Sequence, residues 1–255
     1  MPGHWLLAGL GKKVLRPGGR ELTRRMLRAL AIGRDDDVVE FAPGMGATAR
    51  MALARRPRSY TAIERDPAAA ARIRNWLGTE GGRCLTVGAE ATGLAAASAN
   101  IVYGEAMLTM QPVRQKLRIV REAARLLAPG GRYGVHELCL VPDEFDPGLR
   151  AEIESGLSLE IHHGVQPLTV AEWRQLLECA GFRVSWQECA PMHLLEPARM
   201  VRDEGFLGAV RIAFNLLRRP EMRRRVLGMR RLFRKYGRHL AAVSLVGEKI
   251  EENRP

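Results

Sequence analysis

Short β-branched or apolar runs alternate with amphipathic helical patterns through most of this chain of 255 residues. Runs of this kind occur at 38–41, 59–64, 83–88, 99–104 and 133–140. Because two parallel strands need a crossover between them, and that crossover is usually a helix, the alternation predicts a parallel α/β sheet. Two further runs follow near the end of the chain, at 182–188 and 240–248.

Two helix starts can be located from their capping residues. Asp66 precedes Pro67, so the aspartate can accept from free amides of the first turn where proline loses no hydrogen bond. Thr169 and Glu172 have the spacing of a capping box ahead of an apolar helical pattern. We therefore predict helices that begin directly after Asp66 and Thr169.

Cysteine usage and hydropathy bear on the compartment. The four cysteines lie far apart and form no C-x-x-C pair, which argues against a zinc site or a disulfide framework. No stretch approaches the roughly 18 consecutive apolar residues that a membrane span requires. We therefore expect a cytoplasmic protein without a metal site.

Positive charge is concentrated near the end of the chain. The formal charge is +12, and residues 197–239 hold twelve arginines and Lys235 against three acids. Three interpretations remain open for this segment: a solvated helix face, a surface for an anionic or lipid-like acceptor or an anionic membrane, and a nucleic-acid surface. The few aromatic residues and the absence of a recognisable nucleic-acid module count against the last of these.

The segment 40–48, which reads EFAPGMGAT, stands where the first strand turns into a helix. Small residues let the backbone approach a ligand, and the helix N-terminus offers unpaired amides to an anion. The spacing of Gly44, Gly46 and Ala49 also satisfies the dinucleotide fingerprint. This spacing therefore leaves NAD open as an alternative ligand.

The surroundings of this turn favour a methyl donor. Glu40 lies four residues before Gly44, a helical pattern at 20–32 precedes the first strand, and a seventh strand closes the chain. With these features the chain resembles the class I S-adenosylmethionine-dependent methyltransferases, whose first motif is E/D-x-G-x-G-x-G. The resemblance covers about 20–190 and the last strand. The resemblance also includes Glu64 and the segments 88–90, 103–105 and 127–131.

This resemblance implies a fold and a domain organisation. The implied fold is a Rossmann-like, doubly wound sheet of seven strands, mostly parallel with an antiparallel last strand, plus a helical insertion. Residues 1–255 would form a single methyltransferase domain with its core at 20–190 and 240–250. The segments 141–168 and 190–239 would form an insertion or lid on the acceptor side.

The resemblance also implies the cofactor, S-adenosylmethionine with S-adenosylhomocysteine as product, and roles for individual residues. Glu64 would accept from both ribose hydroxyls, and Gly44 and Gly46 would border the amino-acid portion. Glu40 would order the turn or meet the methionine ammonium through water. Ala42 replaces the family's first glycine, which requires a negative φ there. The complete predicted cofactor-binding set is Glu40, Ala42, Gly44, Gly46, Glu64, Arg65, Ala89, Glu90 and Tyr103, with Ala89 and Glu90 beside the adenine.

Candidate catalytic residues follow the fourth and fifth strands, because ligands of open α/β sheets bind beyond the carboxyl ends of the strands. Adjacent strand residues point to opposite faces, so His136 and Glu137 cannot both enter the site. We predict His136 as general base or acceptor-orienting group, together with Glu105. His162 and His163 lack a metal-ligand spacing, so no metal is predicted.

The resemblance therefore implies an enzyme of the EC 2.1.1 type that methylates a small molecule, either a metabolite or a quinone-like or lipid-like acceptor. Methyl transfer from a sulfonium is an in-line displacement, for which a protein mainly supplies proximity and alignment. The alternatives are an NAD-dependent oxidoreductase and a non-catalytic basic module on the same fold that binds nucleic acid or protein. The oligomeric state and the acceptor atom do not follow from the sequence.

Overall fold

The computed structural model describes residues 9–12, 16–78 and 81–250. Within 16–78 and 81–250 there are eight helices and eight strands. The helices are α1 (Gly19–Ala29), α2 (Ala47–Leu53), α3 (Pro67–Leu77), α4 (Val113–Leu126), α5 (Pro147–Ile161), α6 (Val170–Glu178), α7 (Pro197–Arg218) and α8 (Pro220–Lys235). The strands are β1 (Asp37–Phe41), β2 (Ser59–Ile63), β3 (Arg83–Leu85), β4 (Ala99–Glu105), β5 (Leu127–Leu140), β6 (Leu168–Thr169), β7 (Phe182–Pro191) and β8 (Leu240–Lys249).

Both helix starts predicted from capping residues are confirmed. The Asp66 side chain accepts from the Ala69 amide at 2.7 Å, and Pro67 is the first residue of α3. At the start of α6, the Thr169 hydroxyl accepts from the Glu172 amide at 3.2 Å, while the Glu172 carboxylate accepts from the Thr169 amide at 2.8 Å. Both helices therefore begin where local side-chain hydrogen bonds satisfy the free amides of the first turn.

The sheet has the strand order β3-β2-β1-β4-β5-β8-β7. The strands from β3 to β5 are parallel, whereas β8 runs antiparallel to both β5 and β7. In the centre, Val38 of β1 pairs with Tyr60 of β2 on one side and Ile101 of β4 on the other. This arrangement confirms the predicted Rossmann-like α/β fold with an antiparallel last strand.

Two details of the sheet differ from the sequence prediction. The two-residue strand β6 was not predicted, and it pairs in parallel with Cys139 and Leu140 at the end of β5. The fifth run was predicted at 133–140, but β5 begins at Leu127, directly after α4, and residues 129–131 bulge within it. Pairing of β5 with β4 on both sides of the bulge keeps these turn residues inside the sheet.

Helices cover both faces of the sheet, and a third apolar cluster lies beyond its carboxyl edge. Helices α1, α2 and α3 pack on one face, and α4 and α6 pack on the other. The third cluster joins the end of β5 to α5 and α8, and it includes Leu138, Leu140, Ile153, Leu157, Val226, Met229, Phe233 and Tyr236. The buried face of α8 thus consists of Val226, Met229 and Phe233.

Close packing brings α1 to the carboxyl end of β5. A Cβ atom at Gly134 would lie 3.3 Å from Met26 Sδ of α1 and 2.8 Å from Cδ1 of Leu30, which follows the helix, so the absence of a side chain there lets α1 lie directly on the strand. This contact places Thr23 of α1 next to His136. The helix therefore forms one wall of the region beyond the strand ends.

Helix α7 is interrupted at Gly205, which has a φ of 76° and a ψ of 166°. Before the interruption, the buried Asp203 accepts from the Arg20 amide at the start of α1 at 3.0 Å. Among the helices of the described residues, none combines the length and the apolar character that crossing a bilayer demands.

Candidate functional site

A cavity of about 420 Å³ opens at the carboxyl edge of the parallel strands. Its first half is bordered by the segment after β1 and by the residues that follow β2 and β3. Its second half lies between the ends of β4 and β5 and the inner side of α8. The cavity therefore lies at the crevice where open α/β sheets bind their ligands.

The turn after β1 combines three left-handed residues. Ala42, Gly44 and Gly46 have φ values of 51°, 55° and 70°. The negative φ expected at Ala42 is wrong, because the chain bends in the same left-handed way that a glycine would allow. An alanine in this region is strained by about 1–2 kcal/mol.

The two glycines of the turn have different surroundings. The space around a Cβ atom at Gly44 is open, with only the Ala42 carbonyl oxygen within 4.0 Å, and Gly44 lines the cavity. A Cβ atom at Gly46 would lie 2.3 Å from Trp76 Cζ2. Gly46 was expected to border the cofactor, but it is absent from the cavity wall and provides room for the α3 tryptophan instead.

Glu64 follows the last residue of β2 and faces the cavity. It is 9% exposed, and its Oε1 accepts from the Asp66 amide at 3.0 Å. Burial raises the pKa of this carboxyl above its usual range. A carboxylate has about four acceptor sites, so the bond to Asp66 leaves capacity for two hydroxyl donors.

Three more predicted cofactor residues border the same half of the cavity: Arg65, Ala89 and Glu90. Ala89 is 9% exposed, and the Glu90 carboxylate lies over Gly88, where a Cβ atom would be 2.6 Å from Oε2. Asn100 lies at the opposite end of β4 and accepts from the Asp37 amide at 3.0 Å. It therefore cannot reach the cavity.

Glu40 is a buried carboxyl group held between two tyrosines. It is 3% exposed, lines the cavity, and its Oε2 accepts from the hydroxyl groups of Tyr103, at 2.6 Å, and of Tyr60. Burial raises the pKa of Glu40 to about 7, although the tyrosine hydrogen bonds oppose this rise. Tyr103, predicted to bind cofactor, is fully buried and absent from the cavity wall, and its hydroxyl donates to Glu40.

Glu105 connects four parts of the chain. Its Oε1 accepts from Thr23 at 2.5 Å and lies 2.7 Å from His136 Nδ1 and 3.3 Å from Arg16 Nε, while its Oε2 accepts from Thr48. Burial by itself would raise the pKa of Glu105, but Arg16 and His136 outweigh it and lower the pKa to about 2. Glu105 is therefore an anion with polar partners at both of its carboxylate oxygens.

His136 does not face the cavity, which differs from the prediction that it acts as general base. It is 0% exposed, and its ring nitrogens lie 2.7 Å from Glu105 Oε1 and 2.6 Å from the Pro17 carbonyl oxygen. With both nitrogens occupied, the ring has no atom left for an acceptor molecule. Alternation along β5 places His136 and Glu137 on opposite faces, and the packing of α1 and Pro17 on one face decides that His136 lies there.

Glu137 points to the opposite face and lines the cavity. Its two oxygens accept from the backbone amides of Met107, Leu108 and Thr109 at 2.9, 2.7 and 3.1 Å, and from the Thr109 hydroxyl at 2.7 Å. Burial raises its pKa, although these hydrogen bonds act in the opposite direction. Glu137 therefore fixes the segment after β4 at the cavity.

The second half of the cavity is mostly apolar, and His163 is the histidine that borders it. Arg16, Thr48 and His163 were not predicted as site residues. Arg16 lies far from any motif, and its Nη2 is buried without a hydrogen-bond partner among the described residues. The apolar residues of this wall are Met107, Met110, Leu138, Ile161, Val165, Met192, Leu194, Met229 and Phe233.

Comparison with known proteins adds a family to this geometry. A family model described as a methyltransferase domain matches residues 39–135. An uncharacterized protein from Haemophilus influenzae is 31% identical over 221 residues, which are 85% of this chain and 86% of that protein.

Solved structures share the fold. One described as a sarcosine dimethylglycine methyltransferase from Galdieria sulphuraria has a TM-score of 0.70 at 15% identity, covering 91% of this chain and 85% of that one. The Haemonchus contortus phosphoethanolamine N-methyltransferase 2, in complex with phosphomonomethylethanolamine and S-adenosylhomocysteine, has a TM-score of 0.71 at 11% identity, covering 97% of this chain and 56% of that one. Identities this low establish a common fold alone.

The left-handed backbone at Ala42 predicts an unusual response to glycine. Ala42→Gly relieves about 1–2 kcal/mol of strain and costs about 0.5–1 kcal/mol of unfolded-state entropy, so stability should rise by up to about 1.5 kcal/mol. Ala71→Gly, at an exposed position of α3, should lose about 1 kcal/mol. Urea unfolding measures both, and an equal loss in the two variants would contradict the left-handed assignment.

The pKa of Glu40 predicts a pH-dependent stability. Because the folded-state pKa of about 7 exceeds the ordinary 4.5, the folded chain retains a proton that the unfolded chain releases between these values. Stability should fall as pH rises from 5 to 8, and Glu40→Gln should gain about 2 kcal/mol relative to the unaltered chain over that range. Tyr103→Phe removes a bond that favours the ionised carboxylate, so it should move the decline to higher pH. If the free energy of unfolding changed with pH in the same way for Glu40→Gln and the unaltered chain, the raised pKa of Glu40 would be refuted.

Proposed function

We propose that this chain, which belongs to the class I, Rossmann-like methyltransferase family, binds S-adenosylmethionine at the turn after β1 and methylates a small, largely apolar acceptor. The observation that carries this proposal is the position of Glu64 beside the open backbone at Gly44, on the wall of one cavity. A carboxylate with two oxygens matches the vicinal hydroxyls of a ribose. The glycine leaves room for the rest of the nucleoside.

The sheet topology supports a methyl donor over the NAD alternative. The dinucleotide-binding sheet has six parallel strands in the order 3-2-1-4-5-6. Here β8 is inserted antiparallel between β5 and β7. The glycine spacing by itself is compatible with both S-adenosylmethionine and NAD, so the strand order is the feature that distinguishes them.

The amino-acid portion of the cofactor is a zwitterion, and the same end of the cavity offers one group of each sign. Glu40 supplies a carboxyl group that ionises near neutral pH. Arg16 supplies a buried Nη2 that has no hydrogen-bond partner within the described residues. We assign the ammonium to Glu40 and the carboxylate to Arg16, since a buried donor such as Nη2 that makes no hydrogen bond is costly and a bound carboxylate removes that cost.

The chain contributes position more than reactivity. When bound, S-adenosylmethionine supplies an activated methyl group on a positively charged sulfur. Glu64, Gly44 and Arg16 hold that group in a fixed orientation, and Glu137 holds the segment after β4 against the acceptor half of the cavity. Holding two reactants in a near-attack geometry accounts for much of the rate acceleration of such displacements.

The acceptor half of the cavity supports an apolar ligand of the quinone-like or lipid-like kind. Its wall combines methionines from three segments, Met107, Met192 and Met229, with aliphatic side chains. Thioether side chains adapt to irregular apolar shapes. We assign His163, in place of His136, as the group that orients the acceptor or takes its proton.

We propose the domain organisation in the same terms. The core at 20–190 and 240–250 binds the cofactor, and the segments 141–168 and 190–239 enclose the acceptor. The first of these segments contains α5 and the second contains α7 and α8. Their apolar side chains form the cluster beyond the carboxyl edge of the sheet.

Calorimetry with S-adenosylhomocysteine and 5′-methylthioadenosine, which lacks the amino-acid portion, tests the cofactor assignments. Glu64→Ala should weaken both ligands by about tenfold or more, because it removes charged hydrogen bonds to the ribose. Arg16→Met and Glu40→Gln should weaken S-adenosylhomocysteine while leaving 5′-methylthioadenosine unchanged. Retained 5′-methylthioadenosine binding shows that the cavity is intact, and an absence of heat with the unaltered chain would refute the methyl-donor site.

A transfer assay tests the acceptor class. Radiolabelled S-adenosylmethionine is incubated with hydroxylated quinones and a membrane lipid extract, and labelled product is measured in the organic phase. His163→Ala should lower turnover by about a hundredfold, the usual contribution of a positioned acid or base, without altering S-adenosylhomocysteine affinity. His162→Ala changes the exposed neighbour and should have no effect. Equal activity in the two variants would remove His163 from the reaction.

A further inference from the structure

The second half of α7 exposes apolar side chains to solvent. The side chains of Phe206, Leu207, Val210, Phe214 and Leu217 are 72%, 82%, 50%, 54% and 69% exposed. We call these five residues the α7 stripe. Exposed apolar residues grouped in this way mark a surface that contacts another molecule.

The stripe follows the period of the helix. Positions 206, 210, 214 and 217 recur at intervals of three or four residues and therefore share one face. Ile212, on the other side of the helix, is 3% exposed. This half of the helix thus buries one apolar side chain, Ile212, and exposes the five of the α7 stripe. An ordinary surface helix does the reverse and turns its apolar face to the core.

The interruption at Gly205 separates this half of α7 from the part that is held in place. Asp203, just before it, is buried and accepts from the Arg20 amide. On the other side of the interruption, the Asn215 side chain donates to the Leu10 carbonyl oxygen at 3.0 Å. The stripe is therefore held outward by contacts on both sides of Gly205.

Cations border the stripe. The Arg218 guanidinium lies 5.1 Å from the centre of the Phe214 ring, and Arg211 lies on the same half of the helix. Arg211, Arg218, Arg223 and Arg224 are exposed, and none of them forms a salt bridge within the described residues. Between 206 and 235 the sequence has ten basic residues and one acid, Glu221.

This combination fits one occupant better than the others. An anionic lipid surface offers an apolar interior to the stripe and negative head groups to the arginines. A second copy of the chain would bring two unpaired sets of arginines together, and like charges oppose such contact. A nucleic acid would use the arginines but would leave the aliphatic side chains of the stripe in water.

We infer that the α7 stripe and its bordering arginines dock the chain on an anionic lipid surface. The helix that follows, α8, places Met229 and Phe233 in the wall of the acceptor cavity. The docked helix is thus joined by one residue to a helix of the cavity wall, and delivery of a membrane-dissolved acceptor is the part of this inference that rests on the proposed function. Docking itself requires no catalysis.

Co-sedimentation of the full chain with vesicles tests this inference. Vesicles of phosphatidylcholine with about one third phosphatidylglycerol should bind the chain on the order of tenfold more tightly than phosphatidylcholine alone, and added salt should weaken this binding. Phe214→Glu and the pair Arg211→Ser and Arg218→Ser should each reduce binding by on the order of tenfold. Val113→Glu, at a 54% exposed apolar position of α4, is the matched control and should bind as the unaltered chain does.

S-adenosylhomocysteine calorimetry on the same proteins separates the two proposals. Ligand binding without vesicle binding overturns the docking inference and leaves the proposed function intact, whereas vesicle binding without ligand binding supports docking and contradicts the proposed function. Equal vesicle binding by Phe214→Glu and Val113→Glu also overturns the docking inference. Sedimentation velocity adds a further test, since a dimer that Phe214→Glu dissociates, in the absence of vesicle binding, would assign the stripe to a second copy.

Discussion

The carboxylate of Glu105 holds the cavity end of the sheet together. Taking a charge out of water is costly, and the cost is offset only when the buried group is surrounded by donors and cations. Thr23, His136 and Arg16 surround one oxygen, and Thr48 donates to the other. These four residues come from the segment before α1, from α1 itself, from α2 and from β5, so a single anion fixes one wall of the first half of the cavity.

Two other buried carboxyl groups complete the edge, and each has a different environment. Glu40 lies between two tyrosine hydroxyls that favour its ionised form. Burial opposes ionisation more strongly, so the pKa of Glu40 is raised. Glu137 binds three successive backbone amides and a hydroxyl, so it orders the segment after β4. The same residue type thus has three roles. Glu40 titrates near neutral pH, Glu105 stays an anion, and Glu137 anchors a backbone segment. The groups around each carboxyl decide which role it has.

Much of the cofactor half could be predicted from sequence, because its residues follow strand ends in a fixed order. Of the nine residues predicted there, Glu40, Ala42, Gly44, Glu64, Arg65, Ala89 and Glu90 border the cavity. Gly46 and Tyr103 do not, since Trp76 and Glu40 occupy their surroundings. Arg16, near Glu40, and His163, in the second half of the cavity, lie in no motif, and nothing local marks them.

Local patterns were enough to determine the alternation of strands and helices, the two capped helix starts at Asp66 and Thr169, and the carboxylate at the end of β2. Each depends on residues a few positions apart, so the chain carries that information within a single turn or strand. The tertiary structure alone decided that His136 turns to Pro17, that Ala42 adopts a left-handed backbone and that the α7 stripe faces outward. Those outcomes depend on contacts between segments distant in sequence, whose partners only the folded chain brings within hydrogen-bond or van der Waals distance.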